Sequence, residues 1–158
     1  MKLAFKRGSA PYGLPKSGRL WLVVDCIFCS IAAGEAPATI IHQDPDTIAF
    51  MDINPWRRGH AVVVPRRHYE NLLDIDPGDL TKTFATAQRV AARIKDGLGA
   101  ERAVLWNSCG AAAGQVVMHF HIHVVPANPN DPPLPPRPEA PADESDIAAA
   151  AAALRNGS

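Results

Sequence analysis

The stretch Gln115-Val116-Val117-Met118-His119-Phe120-His121-Ile122-His123-Val124-Val125-Pro126 decides the reading of this chain. From His119 onward apolar and polar residues alternate, and the apolar ones are β-branched or aromatic, which is the period of a half-buried strand. Alternate side chains of a strand share a face, so His119, His121 and His123 point one way and Phe120, Ile122 and Val124 point into a core. A rise of about 3.4 Å per residue sets neighbouring imidazoles roughly 7 Å apart. The outer pair is then far enough apart for different tasks. Half of the chain's six histidines sit on this one face. Three solvated histidines on an edge strand are the plainer alternative. Imidazole is nevertheless the side chain best suited to nucleophilic attack and proton transfer near neutral pH, and the run is read as a catalytic strand.

Working outward, 158 residues make one domain with enough chain to bury a core. Sixteen basic residues balance sixteen acidic ones, so net charge argues for neither nucleic acid nor membrane as a partner. No apolar run reaches the length of a membrane span, and Leu20–Val24 is too short for a signal peptide. Three cysteines, two in a CxxC, suit a reducing cytoplasm better than a disulfide framework. Residues 1–24 form a basic, Gly- and Pro-punctuated arm, in which Leu20–Val24 could add a strand. Residues 25–126 hold the domain. Residues 127–158 form a tail: eight of the fifteen prolines fall between Pro126 and Pro141, and an Ala-rich helix candidate follows over Asp143–Leu154.

Within the domain, Thr39–His42 and Thr47–Met51 read as strands joined by a turn over Gln43–Asp46, with His42 a surface strand residue. His60–Val64 is a third strand, stopped by Pro65, and Arg102–Asn107 a fourth. Asp76-Pro77-Gly78-Asp79 has the form of a helix start. The expected helix carries an apolar face of Leu80, Phe84, Ala87, Ala91, Ile94 and Leu98 and ends at Gly97 or Gly99. Ser108–Gly114 is a small-residue loop that lets backbone approach a phosphate, and Cys109 is a loop thiol. Cys26-Ile27-Phe28-Cys29 alone is metal-binding, redox-active or simply buried. The fold expected is α+β: an antiparallel sheet of about five strands with one long and one short helix.

The run His119–Val125 resembles the signature of the histidine triad (HIT) family of nucleotide hydrolases and transferases, in its bacterial Hint-like branch. So do, in order and spacing, Cys26–Cys29, Ala49–Pro55, Gly59–Pro65 and Gly114-Gln115. The resemblance implies a homodimer that takes a purine nucleotide and releases a nucleoside monophosphate. Phosphoramidate, adenylate and dinucleotide-type compounds are the substrates implied, through a covalent nucleotidyl-histidine. In this implied mechanism His121 attacks the α-phosphorus, His123 and His60 orient and assist, and no catalytic metal takes part. Asp52 would accept from the ribose, Phe28, Phe50 and Ile53 would line the base slot, and Asn107 and Gln115 would bond phosphate or ribose. Cys26, Cys29, His68 and His119 would hold a structural zinc. Many members carry Ser or Thr after the glutamine. Here Val116 stands in that nucleotide-binding position and cannot donate to a leaving group. A non-catalytic nucleotide-binding module and a nucleotidyltransferase are the rival functions, and the third histidine, His123, favours hydrolysis over transfer.

Overall fold

In a computed structural model that describes residues 26–136 and 138–156, five strands make one antiparallel sheet. They are Ile40–Gln43 (β1), Thr47–Met51 (β2), Ala61–Pro65 (β3), Arg102–Trp106 (β4) and Ile122–Ala127 (β5), in the spatial order β1-β2-β3-β5-β4. Three helices accompany them: Ile27–Ala33 (α1), Pro77–Leu98 (α2) and Glu144–Asn156 (α3). The α+β architecture is the one expected, with one helix more. The basic arm and its Leu20–Val24 run lie outside the described residues.

The extra helix is α1. Its first five residues, Ile-Phe-Cys-Ser-Ile, are weak helix formers and its N-cap, Cys26, makes no side-chain capping bond. A sequence reading therefore finds no start signal. Packing makes the helix: Ile31 and Phe28 lie on Ile48, Phe50, Val62 and Val64 of β2 and β3. Gly34 closes it in the left-handed conformation, its N–H bonded to Ile31 and Ser30 carbonyls.

The long helix starts and stops as its sequence announces. Asp76 accepts from the N–H groups of Gly78 and Asp79, Pro77 stands at the first position, and left-handed Gly99 ends it. Its inner face is a correction to the sequence reading. Thr83, Thr86, Ala87, Val90 and Ile94 are buried, while Phe84 is 45% exposed. The two threonines can be buried because each hydroxyl has a partner: Thr83 donates to the Asp79 carbonyl at 2.7 Å and Thr86 pairs with Thr47 at 2.8 Å.

Strand parity sorts the core into two layers. Ala49, Met51, Ala61, Val63, Ile122 and Val124 face α2 and α3. Ile48, Phe50, Val62 and Val64 face α1. His121 and His123, out of phase with Ile122, thus come to the α1 side, as do His60 and Asp52 at the ends of β3 and β2. The histidine-bearing strand, however, begins at Ile122 and not at His119. The β3–β5 ladder stops at the pair Val63↔Ile122. Upstream, Phe120 donates its N–H to the Tyr69 carbonyl and His119 its N–H to Val117, so both leave the sheet. Parity survives, since Phe120 remains in the α2 layer.

Helices α2 and α3 meet at Gly97, where an added Cβ would stand 2.3 Å from the Ala153 carbonyl oxygen. Gly→Ala inside an exposed helix ordinarily stabilises by about 1 kcal/mol. Gly97→Ala should instead destabilise, read as a lower denaturation midpoint in urea. A raised midpoint would show that α3 is not held there.

Candidate active site

Two clusters of polar side chains lie side by side on the α1 face, and His119 and His121 join them. In the first, Cys26 and Cys29 from the start of α1 meet His68, three residues beyond β3, and His119. Cys26 Sγ lies 3.4 Å and Cys29 Sγ 3.5 Å from His119 Nδ1, and Cys29 Sγ lies 3.3 Å from His68 Nδ1. All four ligand atoms fall within 4.8 Å of one another. His119 Nε2 faces the Pro65 carbonyl at 2.9 Å and must donate to it, which leaves the Nδ1 lone pair toward the sulfurs. Two thiols, two imidazoles and a carbonyl fixing one ring suit tetrahedral zinc with its outer hydrogen bond. Burial lowers the His119 pKa to about 4, so this ring is neutral, as a ligand must be. Burial, with the neighbouring Cys26, pushes the Cys29 thiol up to about 11.

The second cluster is Asp52, His60, His121 and His123, all buried. His121 Nδ1 lies 2.7 Å from the His119 carbonyl. A carbonyl only accepts, so Nδ1 carries the proton and the lone pair of the neutral ring is on Nε2. The neighbouring pair is fixed in the same way. The Trp56 N–H donates to His60 Nδ1 at 3.2 Å, His60 then carries its proton on Nε2, and it gives that proton to His123 Nδ1 at 2.9 Å. His123 is left with its proton on Nε2. Asp52 Oδ2 stands 3.6 Å from His60 Nε2 and 3.7 Å from His123 Nδ1. The two rings of the strand, His121 and His123, are 4.9 Å apart between centroids, closer than backbone spacing suggests.

The other sequence-derived candidates are distributed unevenly. Phe28 sets its edge against His121 at 5.3 Å and against Phe50 at 5.3 Å. Phe50 belongs to the α1-side core, and Ile53 is 64% exposed on the following loop. Asp52 is only 3% exposed and its carboxylate is turned on the histidines. Asn107 donates to the His121 carbonyl at 2.8 Å. Gln115 bridges the small-residue loop, accepting from Gly110 N–H and donating to the Glu70 and Val117 carbonyls. Both amides thus shape the main chain around His121. Val116 is 75% exposed at the pocket. His42 pairs with Asp44 at 3.2 Å, and Cys109 is a free thiol beside Asn71.

Two features escaped the sequence reading. Trp56 stacks on His60, with centroids 5.0 Å apart and planes 19° from parallel, and meets His123 edge-on at 5.2 Å. The proline-rich tail also returns over the site: Leu134, Pro135 and Pro136 wall a cavity of about 330 Å³ that His121 and His123 share with Trp56 and Trp106. The tryptophan in Asn54-Pro55-Trp56 could have been flagged by its nearness to His60. The tail's course had no local signal.

A five-stranded sheet covered on both faces brings alternating histidines beside a Cys₂His₂ cluster, and the class it defines is an α+β protein with a histidine-centred site. The HIT domain model matches residues 33–130, more than half of the chain, and the chain belongs to the HIT family. An uncharacterized HIT-like protein of Methanocaldococcus jannaschii is 39% identical over 106 residues, 67% of this chain and 81% of that one. A Zn-bound histidine triad family protein of Mycobacterium smegmatis superimposes with a TM-score of 0.70 at 37% identity, covering 82% of this chain and 92% of that one. An adenylylsulfatase of Arabidopsis thaliana is 33% identical over 107 residues, 68% of this chain and 54% of its own length. These likenesses support nucleotide binding and hydrolase-type chemistry in general terms. Among the described residues no helix is long and apolar enough to cross a membrane.

Zinc should bind at about one per chain, the stoichiometry of a four-ligand site, and Cys29→Ser or His68→Ala should lose it. The Cys29 thiol keeps its proton up to about pH 11 without metal, so binding must release that proton; His119 has none to release above about pH 4. Affinity should therefore rise with pH through the neutral range, about tenfold per unit for each thiol proton displaced. Calorimetry in buffers of different ionisation enthalpy counts those protons. An affinity independent of pH would remove Cys29 from the ligand set.

Proposed function

We propose that this protein hydrolyses nucleotides at the α-phosphate through a nucleotidyl-His121 intermediate, with phosphoramidates, adenylates and dinucleotides as the substrate types. The observation that carries the reading is the 2.7 Å contact between His121 Nδ1 and the His119 carbonyl, because it puts the lone pair on Nε2. That lone pair forms an N–P bond as the bond from phosphorus to the leaving group breaks, the leaving group taking the electron pair and, where it is an amine, a proton relayed from solvent through His123 Nε2. Water then attacks phosphorus, the N–P bond breaks, and nucleoside monophosphate departs while the water's proton passes to solvent. Dividing one displacement into two is the gain of covalent catalysis.

The other residues act around that step. His123, with its proton on Nε2, and His60 behind it orient the phosphate and offset its charge. Asp52 places a carboxylate beside that pair and, on the reading taken from the family resemblance, also faces the ribose. Phe28 and Ile53 hold a purine base, with Phe50 behind them as core. Asn107 and Gln115 fix the loop whose main-chain amides meet the phosphate. Zinc on Cys26, Cys29, His68 and His119 supplies a cross-link between α1, the end of β3 and the approach to β5, and no catalytic metal enters the step. A homodimer through the open edge of β4 is part of the proposal, supported by Leu105 and Trp106, 43% and 50% exposed on that edge strand.

His121→Ala should cut turnover of a nucleoside phosphoramidate or adenylate by at least roughly a thousandfold, about 4 kcal/mol of barrier, while still binding nucleoside monophosphate. His123→Ala should cost about a hundredfold, the scale of a positioned proton donor. Wild-type protein quenched in denaturant at alkaline pH, where a phosphorus–imidazole bond survives, should gain the mass of one nucleotidyl group, and His121→Ala should not. Near-normal turnover by His121→Ala would end the enzymatic reading.

A further inference from the structure

Four residues ahead of His60, Trp56 folds back over it. The loop between them turns at Gly59, whose φ of 91° is a conformation that a side chain would strain. Within that turn the His60 N–H donates to the Arg57 carbonyl at 3.0 Å, and the Trp56 N–H donates to His60 Nδ1 at 3.2 Å. The indole then lies on the imidazole, centroids 5.0 Å apart and planes 19° from parallel, and meets His123 edge-on at 5.2 Å. A buried ring under such a cover cannot rotate about its Cβ–Cγ bond without driving an edge into the indole. The plane of His60 is thereby set, and with it the line along which Nε2 gives its proton to His123 Nδ1 at 2.9 Å.

Trp56 itself stands on a loop, outside any strand or helix, so its own orientation needs a support. The proline-rich tail supplies it. Trp56 Nε1 donates to the Pro135 carbonyl at 3.0 Å. On either side, Asn54 donates to the Pro138 and Glu139 carbonyls at 3.1 and 3.0 Å, and Arg57 donates to the Pro132 carbonyl. Ala142 returns an N–H to the Ile53 carbonyl at 2.9 Å. Arg57 also pairs with Asp131 at 3.4 Å and reaches the Pro126 carbonyl of β5 at 3.0 Å. A proline-rich segment is extended before it docks and has little freedom to lose, so a few bonds suffice to seat it. The tail is in this way built into the loop that carries Trp56.

We propose that Trp56 is a positioning residue for the His60–His123 pair, and that the Pro135 carbonyl of the tail holds it in that role. This rests on the hydrolase reading above, in which His123 offers its Nε2 proton to the phosphate. Trp56 acts through His60: the stack sets the ring, the ring presents Nε2 to His123 Nδ1, and His123 keeps its own proton on Nε2. Without the indole, His60 turns, the neutral rings sample both tautomers, and His123 offers its proton to the phosphate only part of the time. Charge on the phosphate is greatest in the transition state, so the loss falls on kcat more than on KM. A Trp56 that merely walled the cavity would act on KM instead.

Two full-length variants separate the stack from its support. Trp56→Phe keeps a ring to lie on His60 and removes the N–H to Pro135, whereas Trp56→Leu keeps apolar volume and removes both. With a nucleoside phosphoramidate or adenylate, kcat should fall by about tenfold in Trp56→Phe and about a hundredfold in Trp56→Leu, with KM within about twofold of wild type. Nitrogen-15 NMR of the imidazoles, without substrate and at a pH where the rings are neutral, gives a readout that a loss of packing alone would not move. Wild-type His60 should show a bare Nδ1 and a protonated Nε2, and Trp56→Leu should show averaged signals from both nitrogens. Raised KM with unchanged kcat, or unchanged nitrogen signals in Trp56→Leu, would overturn the proposal. Should Trp56→Leu not fold, Trp56→Phe decides: wild-type kcat and unchanged signals there overturn the tail's part and the proposal with it. If wild-type protein turns over no nucleotide, the hydrolase reading alone fails, and the nitrogen signals still decide whether Trp56 positions the pair.

Discussion

Residue His119 is held at three points, and the geometry of both polar clusters depends on it. One ring nitrogen donates to the Pro65 carbonyl, the other faces the two thiols, and its main-chain oxygen accepts from His121. The ring side builds a ligand set and the main-chain side sets a tautomer. A single residue therefore couples the contact of His119 with the Cys26 and Cys29 thiols of α1 to the orientation of the candidate nucleophile. The sheet accommodates this by ending its ladder at Ile122, because the chain ahead of that point is bonded to Tyr69 and Pro65. The same departure from the ladder lets imidazoles that strand spacing would keep apart come within 4.9 Å.

Burying this much polar chemistry requires partners, and the sheet supplies them through its ends. Asp52, His60 and His123 stand where β2, β3 and β5 run out toward one rim, so each remains within reach of the next. Among the described residues, no buried side-chain nitrogen or oxygen lacks a hydrogen-bond partner. That satisfaction fixes proton positions as well as atoms, since backbone groups that only donate or only accept sit at the ends of the chain of imidazoles. Apolar layers on both faces hold the rim rigid: the larger under α2 and α3, the smaller under α1.

The tail adds an apolar wall to the site through Leu134, Pro135 and Pro136. Hydrogen bonds from Asn54, Trp56 and Arg57 to tail carbonyls replace regular secondary structure, as suits a segment whose prolines have no N–H to give. Trp56 links that wall to the histidines, because one face of its indole lies on His60 while its N–H holds Pro135.

Much of this was legible in the sequence because it is local. The alternation around His121 and His123 assigned a face, Asp76-Pro77 started α2, Gly99 ended it, and Asp44–Thr47 made the β1–β2 turn through short-range bonds. Cysteine and histidine spacing, with the family resemblance, nominated the four residues that the fold brings within 4.8 Å. The rest depended on partners distant in the chain. Helix α1 forms because Phe28 and Ile31 have a sheet to lie on, and Phe84 stays outside because Thr86 finds Thr47. The lone pair of His121 is placed by a carbonyl two residues away only because Pro65 and Tyr69, more than fifty residues upstream, hold the chain in that bend. Periodicity records which side chains share a face; which proton each carries, and that a proline tail closes over them, are set by contacts the one-dimensional pattern does not contain.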